Sequence, residues 1–432
     1  MALVMHEAFL HYIWQCQYFD KAKLITTAGE EVSILKPGHY NSDQGPDFSQ
    51  AKIKIGGIEW VGHVEIHVNS SDWTKHAHQH DAGYDNVVLH VVWKHDVEIM
   101  RMDGSIIPTL ELCNRIDPAL SKSYHKLVNS GLSIPCSASF STVGDIVKVS
   151  MFEKAVTQRL RSKSKLILDM LQHNTGDWEE TFYQVLCKNF GFKVNADAFF
   201  QLSKVIPYRL LKKHGNSCVQ IEALLFGGAG MLEAKSKDEY VAVLFREFQL
   251  LQKKYSLAET QIHYSRWKFL RLRPANFPTL RIAQLSATLF RQQNIFSRIL
   301  ELNEIVELRA IFKAPLSDYW HSHYRFGKKS IKEIEAIGDT SIDNIIINTV
   351  VPTLAAYSIA RDEQMLMDKA MRWLEQLPGE KNKITRTWGD LGVHVKSSFD
   401  SQAMIEQYNN MCQKRNCLNC SVGASLLRPK SI

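Results

Sequence analysis

Long apolar runs are scarce in this chain. None approaches the ~20 residues that carry a helix across a bilayer, so no membrane span is expected. Residues 1–9 show no basic stretch followed by a long apolar one, so no signal peptide is expected either. Cysteine is sparse, eight in 432 residues, which excludes a disulfide-stapled secreted scaffold and fits a reducing cytoplasm. No segment is of low complexity, and no fixed period repeats, so a solenoid is excluded. The one glycine-rich stretch, Leu225 to Gly230, lacks the Lys-Ser/Thr of a phosphate-binding loop and reads as a tightly packed helix end.

What is present is enough apolar residue, 45%, to build a substantial core, and length enough for two or three domains. The formal charge of +7 is unevenly spread. Residues 1–110 hold 8 lysines and arginines against 14 acids, while the rest hold 44 against 31. An acidic, site-bearing part joined to a basic part suits an enzyme that acts on a polyanion, and a moderately charged protein of no such function has the same balance.

Residues 3–19 have helical spacing, with Glu7 one turn before Leu10. Residues 31–35, 48–55 and 58–68 alternate as strands, with Gly56-Gly57 as a tight turn. Residues 87–93 form a near-continuous apolar run, which suits a strand buried on both faces. After Thr142 the pattern becomes long and helical. The expected class is α+β. An N-terminal mixed sheet flanked by helices occupies residues 1–120, a linker 121–145, and a mainly helical region 146–432, which carries a cysteine cluster at 408–425.

Three constellations carry chemistry. In the first, Asp47 starts one strand and Glu65 lies late in the next, where alternation puts His63, Glu65 and His67 on one face. Two such carboxylates can converge on Mg²⁺ or Mn²⁺, which can activate water at a phosphodiester. In the second, seven of 17 histidines fall between 63 and 95, among them His76, His78 and His80 next to Asp81. They are candidates for metal or phosphate contacts, and a solvated polar loop would have the same composition. In the third, Cys412, Cys417 and Cys420 have thiolate-ligand spacing for Zn²⁺ or an iron–sulfur cluster. A closed site needs a fourth ligand, for which Cys136, Cys218, His321 and His323 are candidates. A basic, proline-broken strip, with Arg271, Arg273, Asn276 and Arg281, is a candidate contact for a nucleic-acid backbone.

Pro46-Asp47 followed by Glu65-X-His67 resembles the PD-(D/E)XK nuclease signature over the first quarter of the chain. The resemblance implies a restriction-endonuclease-like core, metal on Asp47 and Glu65, and an auxiliary acid at Glu7. His67 would stand where the family has lysine, as a group titrating near neutrality that orients or deprotonates water. The stretches Asn41-X-Asp43-X-Gly45-Pro46-Asp47-Phe48, Gly62-X-Val64-Glu65-Ile66-His67, Ser71-Asp72-Trp73 and Arg273-Pro274-X-Asn276-Phe277-Pro278, with the cysteine run, also resemble a bacterial family called domain of unknown function 2851. That likeness spans nearly the whole chain and implies membership without a mechanism. The leading expectation is a cytoplasmic metal-dependent nuclease acting on DNA or RNA. A catalytically silent nucleic-acid-binding or scaffolding protein and a zinc-dependent hydrolase of a small substrate are the alternatives.

Overall fold

A computed structural model describes residues 5–41, 43–257 and 260–429; the first residues of the expected helix at 3–19 lie outside them. The chain forms two compact units, residues 1–151 with 407–432, and residues 152–406. The stretch expected as one helical domain, 146–432, is divided between the two units, residues 407–429 grouping with the N-terminal part. The contacts are specific. Tyr12 Oη donates to the carbonyl of Ala424 at 3.4 Å, and Arg415 Nη1 to that of Leu132 at 2.8 Å.

The first unit is built on a mixed sheet. Helix α1 (Glu7–Cys16) buries Phe9, Leu10, Ile13 and Trp14. Strands β1 (Val32–Lys36), β2 (His39–Tyr40), β3 (Phe48–Ile55) and β4 (Ile58–Asn69) follow. Then come a short helix α2 (Asp72–Lys75), strands β5 (Val87–Lys94) and β6 (Thr109–Glu111), helix α3 (Pro118–Val128) and the start of the long helix α4 (Asp145–His173), most of which belongs to the second unit. The sheet order is β1-β3-β4-β5-β6, with β2 on β3. Strands β3 and β4 form an antiparallel hairpin, whose turn residues Gly56 and Gly57 have φ of 55° and 89°. Positive φ at both central positions is what a tight hairpin turn demands, and glycine meets it without strain. Strand β5 lies parallel to β4, with Glu65 opposite His90 and His67 opposite Val92. Parallel pairing requires a crossover, and here residues 70–86 supply it as short helical turns.

Gly62 lets β4 and β5 close. A Cβ there would stand 2.5 Å from the Asn86 carbonyl oxygen and 2.5 Å from Val88 Cγ1. The backbone oxygen cannot yield without breaking the bond that His63 N–H gives it at 2.8 Å. Gly62→Ala is expected to lower the urea-unfolding free energy of this unit by about 1–3 kcal/mol, as overpacking does. An unchanged midpoint would refute this tight approach.

The second unit is almost all helix, with one small hairpin (His323–Arg325 with Lys328–Lys329). Its core runs from Phe182, Phe199 and Phe226 to Trp320, Ile346 and Trp373, all buried. The segment 339–361 is 23 residues with mean hydropathy 1.3, long and apolar enough to cross a membrane by composition alone, and 78% of its apolar window is buried in the fold. Its apolar length serves this core.

Candidate metal centre

Asp47 and Glu65 hold each other across the β3–β4 hairpin. The Asp47 N–H donates to Glu65 Oε2 at 3.1 Å, and the Ile66 N–H donates to Asp47 Oδ2 at 2.9 Å. This follows from the register. Phe48 pairs with Val64, so the residue before β3 falls opposite the last turns of β4.

Two groups of donor atoms flank this clasp. Glu7, His11 and Asp47 bring one ligand atom each within 4.8 Å of one another, and so do His67, His76 and His78. Glu65 lies beside the second group. Its Oε1 is 3.2 Å from His78 Nε2 and 3.6 Å from His67 Nε2. His11 Nε2 is 3.1 Å from Asp47 Oδ2 and 3.8 Å from Glu7 Oε1. The His11 and His78 nitrogens are buried and close to carboxylates, yet neither has the alignment of a hydrogen bond. His67 Nε2 meets His76 Nδ1 at 3.1 Å, nitrogen to nitrogen. These rings and carboxylates can pair with one another as ion pairs and hydrogen bonds, and the same set of imidazole nitrogens and carboxylate oxygens, drawn together in two groups, is of the kind that fits a divalent metal.

The surroundings hold the rings. His67 Nδ1 is 2.8 Å from His90 Nε2, which fixes the outer side of the ring as second-shell partners do. His78 stacks on Tyr84 at 3.9 Å and meets Trp73 edge-on at 5.3 Å. The crossover is tied at its start. Asp96 accepts from the Ser71 N–H and from the Ser70 and Ser71 hydroxyls, and Asp72 accepts from the Asn69 N–H.

Burial sets the electrostatics. It raises the Glu65 carboxyl above its ordinary value, against the pull of His78. It raises Glu7 likewise, against His11. At His11 burial opposes the charge, but the Asp47 and Glu7 carboxylates outweigh it and the pKa rises. His67 departs from the expected near-neutral titration. Burial, with His78 and His76 nearby, pushes it down to about 3. A base that weak is poorly matched to deprotonating water near pH 7. A neutral imidazole is, however, the form that binds metal.

Of the residues singled out in sequence, Glu7, Asp47, Glu65, His67, His76 and His78 come together. His63 lies on the same strand face, but a register shift falls between it and Val64, and it joins no donor group. His80 is exposed and outside both groups. Asp81 accepts from the Gly83 N–H and caps a turn. Sequence reasoning passed over His11 as a ligand. The signal was Glu7 and His11 four apart on one helix, a spacing that places two donors on one face.

In the same unit, Cys136, Cys412, Cys417 and Cys420 are all buried. Among the described residues no three of these sulfurs lie within 4.8 Å of one another. Burial first, then the neighbouring cysteines, pushes Cys136 up to about 12 and Cys417 up to about 11.

In the second unit, Arg271 and Arg273 are exposed, as a surface contact requires. Arg281 is not. It is 4% exposed and turned inward, where Gln284, Asn276 and Ser341 accept from its guanidinium. Its place on a helix whose residues 278–289 are all buried explains the difference from the expected surface strip.

The family described as "Protein of unknown function (DUF2851)" matches residues 7–383. The chain belongs to this family. The matched range contains every donor from Glu7 to His90 and the 271–281 strip, and ends before Cys412. No match was found among curated proteins or solved structures.

Proposed function

We propose that this member of the family is a metal-dependent phosphodiester hydrolase acting on DNA or RNA. The observation that carries the reading is the Asp47–Glu65 clasp, with a donor group on either side of it. The sheet supports it. An antiparallel hairpin followed by a parallel strand, behind an N-terminal helix with an acid, is the arrangement implied by the PD-(D/E)XK resemblance. The imidazoles of His67, His76 and His78, with Glu65 beside them, would hold one ion, and Asp47 with Glu7 and His11 would form a second donor group. A divalent ion there would supply Lewis acidity at a phosphoryl oxygen and a nucleophile at neutral pH. The imidazole content favours Mn²⁺ or Zn²⁺ over Mg²⁺. Exposed Arg271 and Arg273 would contact a nucleic-acid backbone.

The trio His67, His76 and His78 also favours a second reading, a zinc-dependent hydrolase of a small substrate. One experiment separates the two. Purified protein is given labelled single- and double-stranded DNA and RNA, and separately a small phosphodiester, with Mn²⁺, Zn²⁺, Mg²⁺ or EDTA. Metal-dependent cutting of the polymer, reduced roughly 10³-fold in Glu65→Ala, is expected, because a metal supplies several kcal/mol of transition-state stabilisation. Cutting of the small ester alone would select the second reading. Metal binding lost in Glu65→Ala, with no turnover of either substrate, would leave the silent binding protein.

A further inference from the structure

Arg281 holds a buried charge that the protein does not neutralise. Among the described residues no carboxylate pairs with its guanidinium. Its three acceptors are neutral: Gln284 Oε1 at 2.9 Å, Asn276 Oδ1 at 2.6 Å and Ser341 Oγ at 3.0 Å. The Phe192 ring covers one face at 4.4 Å, and Nε is buried without a partner. A buried, unpaired ion is costly and is ordinarily matched by a counter-ion.

The acceptors tell what the counter-ion is. Arginine only donates, so it fixes the orientation of each neighbour. Asn276 and Gln284 must turn their carbonyl oxygens to it, which leaves both amide NH₂ groups facing elsewhere. Ser341 accepts from it and keeps its O–H to donate. Among the described residues none of these donors meets a protein acceptor. Arg281 thereby makes its surroundings a cradle of donors. The cradle lines a cleft of about 840 Å³ whose rim adds Lys329 and Lys332 against one carboxylate, Glu333. That volume lies within the roughly 300–1,000 Å³ of small-molecule sites.

We propose that this cleft binds the oxyanion of a small molecule, a phosphate monoester or a carboxylate, held by Asn276, Gln284 and Ser341 over the Arg281 charge. The site lies in the helical unit and does not depend on the metal centre being active.

The test is calorimetric titration of the full chain at constant ionic strength with inorganic phosphate, adenosine monophosphate and succinate. Saturable binding of at least one is expected. Binding of the phosphates alone marks a phosphate ester, and binding of succinate alone marks a carboxylate. Arg281→Met is expected to weaken binding at least about tenfold. Asn276→Asp places a carboxylate against the guanidinium, so it is expected to raise the melting temperature of the free protein and to abolish binding. The second variant decides the matter if the first does not fold. No saturable binding of any of the three, or undiminished binding in Asn276→Asp, would overturn the proposal.

Discussion

Lys163→Met is expected to make the protein more stable than the wild type at pH 6 and less stable at pH 10. Lys163 sits on α4, and its ammonium donates to Asn348 Oδ1 at 2.7 Å. Burial, and then the neighbouring Arg159, drives its pKa down to about 7, against the weaker pull of Glu380 and Glu406. Those acids are already engaged. Arg159 Nη1 lies 3.5 Å from Glu406, and Glu380 accepts from Gln402 at 2.6 Å. The sign follows from linkage. Between about pH 7 and the unfolded value of 10.5 the unfolded chain binds one more proton than the folded one, so stability rises with pH over that window. Below pH 7 the full penalty is present, on the order of 5 kcal/mol by the usual conversion. Methionine removes that penalty but leaves Asn348 Oδ1 unmet, at a cost of about 1–3 kcal/mol. The net gain at pH 6 is therefore a few kcal/mol, and at pH 10 only the loss remains. Urea midpoints of the wild type and the variant at pH 6, 8 and 10 should cross. Parallel curves would mean that Lys163 keeps an ordinary pKa.

The helical pattern around Lys163 could not show this. Periodicity locates a face but does not say what covers it. The same limit explains Arg281, whose neighbours in sequence are exposed arginines while the helix that carries it is sunk in the core. The sheet was far more legible. Alternation from Ile58 to Val68 and the Gly56-Gly57 turn specify the hairpin and its register, and the register places Asp47 opposite Glu65. His76 and His78 stood out as a cluster, but their convergence on His67 depends on the path of the crossover. That path is set by Asp72 and Asp96 bonding to backbone and serine groups, which no periodicity reports. His11 needed both the helix and the strand, because its partner Asp47 lies 36 residues away.

Cys136→Ser is expected to remove the ion at the cysteine cluster and to destabilise the first unit by several kcal/mol. Three cysteines within nine residues leave a tetrathiolate site one ligand short. Of the candidates for the fourth ligand, Cys136, 276 residues before Cys412, is the one whose segment the fold ties to the cysteine run, although among the described residues no three of these sulfurs lie within 4.8 Å of one another. Arg415, between Cys412 and Cys417, donates to the Leu132 carbonyl at 2.8 Å, which brings the 132–136 segment to the cysteine run. Gln407 Nε2 donates to Cys420 Sγ at 3.2 Å, as second-shell donors to a ligating sulfur do. Gly423 gives the run its close packing, since a Cβ there would lie 2.0 Å from the Cys417 carbonyl oxygen. To bind a cation these thiols, whose pKa values burial raises, must give up their protons, so the metal and the fold are linked. Structural zinc on such a set contributes apparent binding energies of roughly 10–16 kcal/mol, enough to decide whether the C-terminal segment docks. The measurement is metal content of protein purified without air, beside Cys136→Ser and a control, Cys113→Ser. Cys113 bonds to Glu111 outside the group and is expected to leave the metal in place. Zinc that falls by one ion per chain in Cys136→Ser would mark a tetrahedral thiolate site, and iron with acid-labile sulfide lost in that variant would mark a cluster. Wild-type protein free of both metals, or Cys136→Ser with wild-type content, would refute Cys136 as the fourth ligand.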